Sequence, residues 1–289
     1  IKNFTEGQKF SIKDIPEHEL LCAGFPCQPF SSIGKREGFK HKTQGNLFFD
    51  IYNILKEKKP KYFILENVGG LLTHEKGTTF STILKYLSKH ENGLFNNKET
   101  LNYHVFYKVL NSSLFGVPQH RRRVFLVGFN SDVFEERPNF EFPKGNETIE
   151  TVGQYVEENV TEKGYPITKH LQKSYIFKND DGKPEIISRD SKIAVKTMVS
   201  TYYKIQRLTG TFVKDGPTGL RKLTVGECKS IMGFPKTFKV PVSKTQMYRQ
   251  FGNSVVVPVV EAIFKQILLV GMLDEGINRL RIDSDDQIT

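Results

Sequence analysis

The first 130 residues alternate short apolar runs with segments of helical period. In residues 47–58 and 80–87 the apolar side chains recur at steps of three and four, which predicts two amphipathic helices. The apolar runs predict strands, at 19–23, 62–65, 105–110 and 124–129. Strands that alternate with amphipathic helices predict an α/β sheet.

The pattern changes after Phe129. Residues 151–222 show no sustained helical period and carry β-branched and aromatic residues interrupted by glycine and aspartate. We therefore expect a second, smaller domain that is irregular and β-rich. Helical period returns at 225–232 and 255–270, and the tail from Asp283 is expected to be loose.

Composition argues against several classes of protein. The longest apolar run, 267–273, is far shorter than the ~18 residues of a membrane helix. The polar start at 1–10 does not resemble a signal peptide. Cys22, Cys27 and Cys228 form no CxxC pair. We therefore expect a reducing, cytoplasmic location, with no membrane, disulfide scaffold or metal site.

The charge balance indicates a class of partner. Lysine and arginine number 42 against 32 aspartates and glutamates, a net charge of +10. A basic balance of this size favours a polyanion, and nucleic acid above all. A basic surface that keeps the protein in solution explains the same number, so charge alone leaves both interpretations open.

Two groups suited to catalysis follow the first two predicted strands. Cys27 lies in a Gly/Pro turn after the first strand, and Glu66-Asn67 end the second. A strand–helix–strand connection makes these strands parallel and adjacent, so Cys27 and Glu66 should share one crevice at the carboxyl ends of the strands. The alternatives are a small buried hydrophobe for Cys27 and a helix cap or surface carboxylate for Glu66.

A basic run, Gln-His-Arg-Arg-Arg at 119–123, precedes the predicted strand at 124–129. Because side chains alternate along a strand, Arg121 and Arg123 should share one face and Arg122 the other. Two guanidinium groups on one face suit a phosphate or a base carbonyl. A solvated charge run is the alternative.

Five motifs, in this order, resemble the DNA cytosine-5 methyltransferases of bacterial restriction–modification systems. The resemblance spans roughly residues 12–270 and is specific because five ordered motifs match, where a lone Pro-Cys would be weak. The motifs are Gly-Phe-Pro-Cys-Gln at 24–28, Glu-Asn-Val at 66–68, Gln-His-Arg-Arg-Arg at 119–123, Arg-Lys-Leu-Thr to Gly-Phe-Pro at 221–235, and Gln-Phe-Gly-Asn-Ser-Val at 250–255.

The resemblance implies transfer of a methyl group from S-adenosylmethionine to C5 of a flipped-out cytosine in a specific duplex DNA site. Cys27 would attack C6 to form a covalent adduct, Glu66 would act at N3, and Arg121 and Arg123 would hold the base. The catalytic set that it implies is Cys27, Glu66, Asn67, Gln119, Arg121 and Arg123.

The resemblance also implies binding residues. Loop charges would meet phosphates, and residues 202–207, which interleave aromatic with basic or amide side chains, would suit groove readout. An ordinary β-rich surface is the alternative for that region. The implied cofactor residues are Gly24, Pro26, Leu47, Asn253, Ser254 and Val255. The implied DNA residues are Ser31, Ser32, Ile33, Lys35, Arg36, Thr197, Tyr203, Lys204, Arg207 and Arg221.

The implied fold is a Rossmann-like methyltransferase sheet with a β-rich target-recognition domain. The expected boundaries are 1–151 for the catalytic domain, 152–224 for target recognition, 225–252 for a hinge, 253–276 for a return to the catalytic domain and 277–289 for the tail. The family's Phe-x-Gly-x-Gly-Gly motif is not found, and the chain starts at Ile1. We therefore expect a missing N-terminal segment, or a second chain, to complete the sheet and the cofactor pocket.

Two other functions stay open at this point. A tRNA cytosine-5 methyltransferase shares the catalytic motifs but carries a Cys-Phe-Thr tripeptide, which is not found here. A non-catalytic DNA-binding fragment or subunit would depend on a partner segment for cofactor binding. The intact Cys27, Glu66 and Arg123 count against that second alternative.

Overall fold

A computed structural model describes residues 11–26, 47–88 and 100–285, and the side chains as far as residue 272. The strands are β1 Leu20–Gly24, β2 Tyr62–Val68, β3 Tyr103–Asn111, β4 Gln119–His120, β5 Arg122–Asn130, β6 Glu185–Ile187, β7 Val195–Lys196 and β8 Thr211–Val213. The helices are α1 Leu47–Lys58, α2 Thr78–Leu87, α3 Lys169–Leu171, α4 Val225–Met232, α5 Lys244–Asn253 and α6 Val257–Asp285.

A four-stranded mixed sheet in the order β1-β2-β5-β3 forms the centre of the fold. Strands β1 and β2 are parallel, with Cys22 opposite Ile64 and Gly24 opposite Glu66. This pairing confirms the parallel neighbours that the strand–helix–strand pattern predicts. Strand β5 runs antiparallel to β2 on its other side, with Val68 opposite Arg123.

Helix α1 has the bounds that its apolar period predicts. Phe48, Ile51 and Leu55 are buried on one face, in the core that also holds α2 and parts of β2, β3 and β5. Lys59 takes a positive φ of 44° directly after the helix, and Pro60 has no N–H to continue it. The apolar period therefore fixes the packing face of α1, and Lys59-Pro60 fix its end.

Strand β2 is longer than its apolar run predicts. Tyr62–Leu65 are buried, as expected, but the strand continues to Val68, so Glu66 and Asn67 lie inside it. The antiparallel partner β5 continues the ladder beyond the apolar residues. Polar residues near the end of a strand do not mark where its hydrogen bonding stops.

The chain divides into two compact units. The first contains the described residues up to Val109, then Arg123–Glu141 and the residues from Leu269 on, and it holds the central sheet. The second contains Leu110–Arg122 and Phe142–Leu268. The short segment that carries Gln119 and Arg121 therefore belongs to the same unit as residues 152–224.

The second unit is irregular, as its sequence predicts, but two of its elements differ from expectation. Its sheets are the parallel pairs β4–β7 and β6–β8. Tyr202–Lys204, in the region expected to be β-rich, form a 3-10 helix, where the buried Tyr202 hydroxyl donates to Thr211 O. Helix α5 was not predicted from the sequence, because most of its residues are polar.

Counting continuous apolar runs underestimated how apolar the helical segment Lys244–Met272 is. Within Lys244–Met272 an 18-residue window has a mean hydropathy of 2.0, enough by length and composition to cross a membrane. This is weak evidence for a membrane span, because a core helix passes the same test. Val259, Ile263 and Ile267 are buried at helical spacing, so one face of α6 packs against the protein, whereas 28% of the window is buried and Phe264, Leu268, Leu269 and Met272 are exposed.

Candidate active site

Glu66 and Arg123 form an ion pair on the central sheet. Arg123 Nε lies 2.9 Å from Glu66 Oε1, and each side chain is 15% exposed. Arg123 is paired with Val68 across the β2–β5 ladder, two residues beyond Glu66, so the two side chains meet on the diagonal of an antiparallel pair. The sheet thus presents a carboxylate and a guanidinium together, at a place where both still reach solvent.

The second carboxylate oxygen of Glu66 faces the end of β1. A Cβ built on Gly24 would lie 3.5 Å from Glu66 Oε2, an ordinary van der Waals distance, so this oxygen lies beside the end of β1. Gly24 is exposed. Cys27 follows three residues later and lies outside the described residues.

Asn67 holds the start of the segment that leads to Cys27. Its Nδ2 donates to Phe25 O at 2.8 Å, and its Oδ1 accepts from the Val68 amide at 2.8 Å. The side chain is buried. Asn67 therefore ties β2 to the residues after β1, and it fixes the backbone there without reaching a substrate surface.

Burial affects Arg123 in a defined direction. Loss of water around the guanidinium lowers the pKa of Arg123, while the Glu66 charge and hydrogen bond oppose that shift. The arginine stays a cation because its reference pKa is far above neutral. The negative charge of Glu66 therefore compensates the positive charge of Arg123 within the pair.

Gln119 and Arg121 are buried in the second unit. Gln119 Oε1 accepts from Met198 N at 2.8 Å, and its Nε2 donates to Ile231 O at 3.0 Å. Arg121 is 3% exposed, and its guanidinium donates to main-chain carbonyls of the second unit. This geometry differs from the expected pairing of Arg121 with Arg123 on one base-holding face: in this structure Arg121 binds backbone.

The predicted DNA residues separate into exposed and buried groups. Lys204 is exposed and Tyr203 half-buried, with the lysine Nζ 5.8 Å from the centre of the tyrosine ring. Arg249 also stacks on that ring, at 5.1 Å, and donates to the Tyr203 hydroxyl at 3.1 Å, which lowers the pKa of Tyr203. Thr197 is half-buried, and its hydroxyl donates to His120 O at 2.7 Å.

Arg207 and Arg221 do not face DNA in this structure, contrary to prediction. Arg207 is buried and pairs with Asp181, with Nη1 2.8 Å from Asp181 Oδ2. Arg221 is fully buried, and its two Nη atoms donate to both oxygens of Glu227 at 2.8 Å each. A charge this well buried needs such partners, and the partners occupy the donors that DNA would use.

The Arg221 cluster also includes Asp215. Arg221 Nε donates to Asp215 Oδ2 at 2.8 Å, and the same carboxylate accepts from the amides of Asn159 and Val160 at 3.0 Å. Burial alone would raise the pKa of Asp215, but these hydrogen bonds outweigh it and lower the pKa to about 2. The cluster joins the loop at 159–160 to helix α4, whose first turn holds Glu227.

The predicted cofactor residues lie in both units, and each group is open to solvent. In the first unit Gly24 and Pro26 are exposed, and Leu47 is 48% exposed at the start of α1. In the second unit Asn253 is exposed, and Ser254 and Val255 are half-buried.

Several predicted residues lie outside the described part of the chain. They are Cys27, Ser31, Ser32, Ile33, Lys35 and Arg36. Within the residues that the structure describes, no group of three or more His, Cys, Asp or Glu side chains could hold a metal ion.

Sequence reasoning missed two residues that the geometry singles out. Arg249 lies beside Tyr203, and the signal for it was a basic residue in a polar segment four residues before Asn253. Gly252 brings two backbones together, because a Cβ there would lie 2.2 Å from Ser200 N. Its signal was its place in the Gln-Phe-Gly-Asn-Ser-Val motif at 250–255.

Comparison with known proteins places this geometry in a family. The profile of the C-5 cytosine-specific DNA methylases matches residues 1–269. The chain is 53% identical over 266 residues to the type II methyltransferase M.MspI of Moraxella sp., covering 92% of this chain and 60% of the relative. It is 52% identical over 256 residues to M.BsuFI of Bacillus subtilis, covering 88% and 59%.

The fold has solved relatives as well. The structure of the S. pombe Dnmt2 methyltransferase superposes with a TM-score of 0.60 at 18% identity, covering 88% of this chain and 78% of that one. The chain spans about 60% of the length of the two type II methyltransferases. The ordered motifs, the mixed α/β sheet and these matches together show that the chain belongs to the C-5 cytosine-specific DNA methylase family.

Proposed function

We propose that this protein transfers a methyl group from S-adenosylmethionine to C5 of a cytosine in a specific duplex DNA site. The observation that carries the proposal is the position of Glu66: one oxygen 2.9 Å from Arg123 Nε, the other beside Gly24 at the end of the strand that leads to Cys27. A carboxylate, a cation and a thiol nucleophile are the groups that cytosine activation needs.

Cytosine is a poor electrophile, so its ring must be polarised as the thiolate adds. Cys27 Sγ forms a bond to C6 while N3 takes a proton or a strong hydrogen bond, the role we assign to Glu66. The exocyclic amino group can donate to the same carboxylate, and Arg123 can donate to the O2 carbonyl. The ion pair keeps Glu66 beside Arg123 before the base arrives.

The addition makes C5 nucleophilic. S-adenosylmethionine supplies, when bound, the electrophilic methyl group that C5 takes up, with S-adenosylhomocysteine as the leaving group. A base then removes the C5 proton, the electron pair of the C5–H bond re-forms the C5–C6 double bond, and Cys27 leaves as thiolate. N3 returns its proton to Glu66. The aromatic ring is restored, and the net change is replacement of hydrogen by methyl.

Access to C6 requires that the cytosine leave the duplex. Unstacking and unpairing one base costs a few kcal/mol, which contacts to the DNA must supply. We assign sequence reading to residues 152–224, with Lys204, Tyr203 and Arg249 as the described surface that suits phosphate and base contact. Lys35 and Arg36 are proposed phosphate contacts from the sequence alone.

The residues proposed for the cofactor, taken from the family resemblance, would contact different parts of it. The exposed Leu47 suits an adenine face, and Gly24 leaves room near Glu66 for the methionine end. Asn253, Ser254 and Val255 offer an amide and backbone groups. A soluble enzyme that acts on DNA would work in the cytoplasm.

The test is methyl transfer with a labelled cofactor. The protein is incubated with S-adenosylmethionine labelled in the methyl group and with duplex DNA, or with tRNA, and the nucleosides are separated. We expect label in 5-methylcytosine from DNA, at one sequence context, and none from tRNA.

Three other results would contradict the proposal. Label in tRNA alone would favour the tRNA enzyme, and label at another position of the base would refute attack at C6. Tight DNA binding without any transfer would favour a non-catalytic DNA-binding protein.

Grafting residues 152–224 from a relative should change the labelled sequence context.

A further inference from the structure

Arg121 joins two segments that are far apart in the sequence. Its Nη1 donates to Met198 O at 2.9 Å, and its Nη2 donates to Gly252 O at 3.0 Å and to Ser254 O at 2.7 Å. All three acceptors are main-chain carbonyls. One side chain therefore fixes the backbone beside Thr197 and the backbone beside Asn253 at the same time.

The residues next to Arg121 in the sequence also bind Thr197 and Met198. Gln119 Oε1 accepts from the Met198 amide at 2.8 Å, and His120 O accepts from the Thr197 hydroxyl at 2.7 Å. Strand β4 also pairs with β7, which ends one residue before Thr197. The segment 197–198 is thus seated on 119–121 through its amide, its carbonyl and its hydroxyl.

The third part of the contact is Gly252. A Cβ on Gly252 would lie 2.2 Å from Ser200 N and 2.3 Å from Val199 C, so these two stretches of backbone touch directly. Residues 119–121, 197–200 and 252–254 consequently form one compact contact, which we call the Arg121 junction.

The planar fork of arginine suits this arrangement. Its nitrogens point in fixed directions, so it can hold carbonyls from two segments together. A lysine ammonium is a point charge on a flexible stem and cannot reproduce that geometry. The junction depends on the shape of the guanidinium group and on its charge.

We propose that Arg121 is a positioning residue that couples the DNA-reading element at Thr197 to the cofactor segment 253–255. This inference rests on the proposed function, since it assumes that these two segments meet DNA and S-adenosylmethionine. Arg121 does not touch the flipped base, and Arg123 alone of the two holds it. The junction holds both segments in place before either ligand binds, so its loss weakens the binding of both ligands.

The experiment compares four variants. Arg121→Met removes the fork, Arg121→Lys keeps only the charge, and Gly252→Ala separates the backbones while the arginine stays. Arg137→Met is the matched control, because Arg137 also donates to a main-chain carbonyl, Val105 O at 3.0 Å, and stacks on Phe106 at 4.2 Å, in the first unit.

Two readouts are measured well below each variant's melting temperature. Amide hydrogen exchange at 197–200 and 252–255 reports the junction itself. The KM values for site-containing DNA and for S-adenosylmethionine, compared with kcat, report whether the junction contributes to the binding of each ligand. For Arg121→Met, Arg121→Lys and Gly252→Ala we expect faster exchange at both segments, both KM values raised about tenfold, and kcat within about threefold of the parent.

Arg137→Met should lower the melting temperature and leave the exchange and both KM values unchanged. A fall in kcat with unchanged KM in Arg121→Met would mean that Arg121 touches the base, and would overturn the proposal. Faster exchange with unchanged KM would reduce Arg121 to a structural role and overturn it too, as would full rescue by Arg121→Lys. If the parent protein transfers no methyl group, the proposed function fails and the coupling with it, while the exchange data still show whether Arg121 holds the junction.

Discussion

Arg123 Nε lies 2.9 Å from Glu66 Oε1, across two strands that run antiparallel. The pair is diagonal, because Arg123 is opposite Val68 and Glu66 is opposite Phe125. Both side chains keep some exposure, so an incoming base can compete for either partner. The sheet holds the acid and the cation of the proposed chemistry together before substrate binds.

Glu66→Gln should slow the chemical step and spare binding. The amide keeps the shape and one acceptor for Arg123 but cannot supply a proton, so we expect single-turnover methylation to fall ~10²–10⁴-fold. DNA affinity should change little. Glu17→Gln is the control, since Glu17 pairs with Lys58 at 2.8 Å on the surface of the same unit. Normal methylation by Glu66→Gln would remove Glu66 from the mechanism.

Cys27 should form a covalent adduct with the target base. With S-adenosylmethionine and duplex DNA carrying 5-fluorocytosine, the C5 fluorine cannot be removed as a proton is, so a denaturation-resistant complex should accumulate. It is measured as a gel shift after denaturation. Cys27→Ser should abolish the adduct.

Cys22→Ser and Cys228→Ala are the controls for that adduct, and both should form it. Cys228 is fully buried in α4, and burial raises the pKa of its thiol, so little thiolate exists there to compete. An adduct that persists in Cys27→Ser would show that another nucleophile does the chemistry.

Lys204 and Arg207 should respond differently to loss of charge. Lys204→Gln removes an exposed cation, so the slope of log affinity against log salt should fall by ~0.9 for one phosphate contact. Arg207→Met should leave that slope unchanged and lower the free energy of unfolding, because the guanidinium is buried against Asp181. Fluorescence anisotropy of labelled duplex DNA across a salt series measures the slopes. Equal changes of slope in both variants would mean that Arg207 also contacts a DNA phosphate.

Asp215 should make stability depend on acid. Its pKa is about 2 in the folded chain, below the ordinary value of 3.8, so as pH falls the unfolded chain binds the proton first. The stabilisation, on the order of 2 kcal/mol, is present above about pH 4 and is lost as the pH falls towards 2. Urea unfolding from pH 6 to pH 2.5 should show a smaller acid loss in Asp215→Asn than in the parent. The exposed Asp190→Asn should follow the parent, and an unchanged acid limb in Asp215→Asn would contradict the assignment.

The sequence predicts the central sheet well because each of its elements carries its own signal. Helix α1 has a clear apolar period and a proline after it, and the parallel pairing of β1 with β2 follows from a single strand–helix–strand connection. Helix α5 was not predicted because its buried apolar residues, Met247, Tyr248 and Phe251, are too few to give a recognisable apolar period. Periodicity detects a helix only when the buried face is long enough to repeat.

The candidate site is predictable by residue type but not by placement. Motifs select Glu66, Arg121 and Arg123 together, yet only the fold shows that Arg123 meets Glu66 while Arg121 meets backbone 77 to 133 residues away. The same holds for Arg207, whose partner Asp181 is 26 residues distant. A charged residue looks alike in sequence whether it is solvated or paired, because pairing is decided by contacts that the chain makes only when folded.

Two of the three hydrogen bonds that seat residues 197–198 are made to backbone atoms that nearly every amino acid has. Arg121 binds the Met198 carbonyl, and Gln119 binds the Met198 amide, so the side chain of residue 198 takes no part in either bond. Substitution of residue 198 by any amino acid with a backbone N–H therefore leaves those two bonds intact, whereas loss of the Thr197 hydroxyl removes the third, which it donates to His120 O. A proline at 198, which lacks the N–H, or a side chain larger than hydrogen at 252 would disturb the contact. Under the proposed function, the side chains that read DNA can change while this backbone attachment is kept.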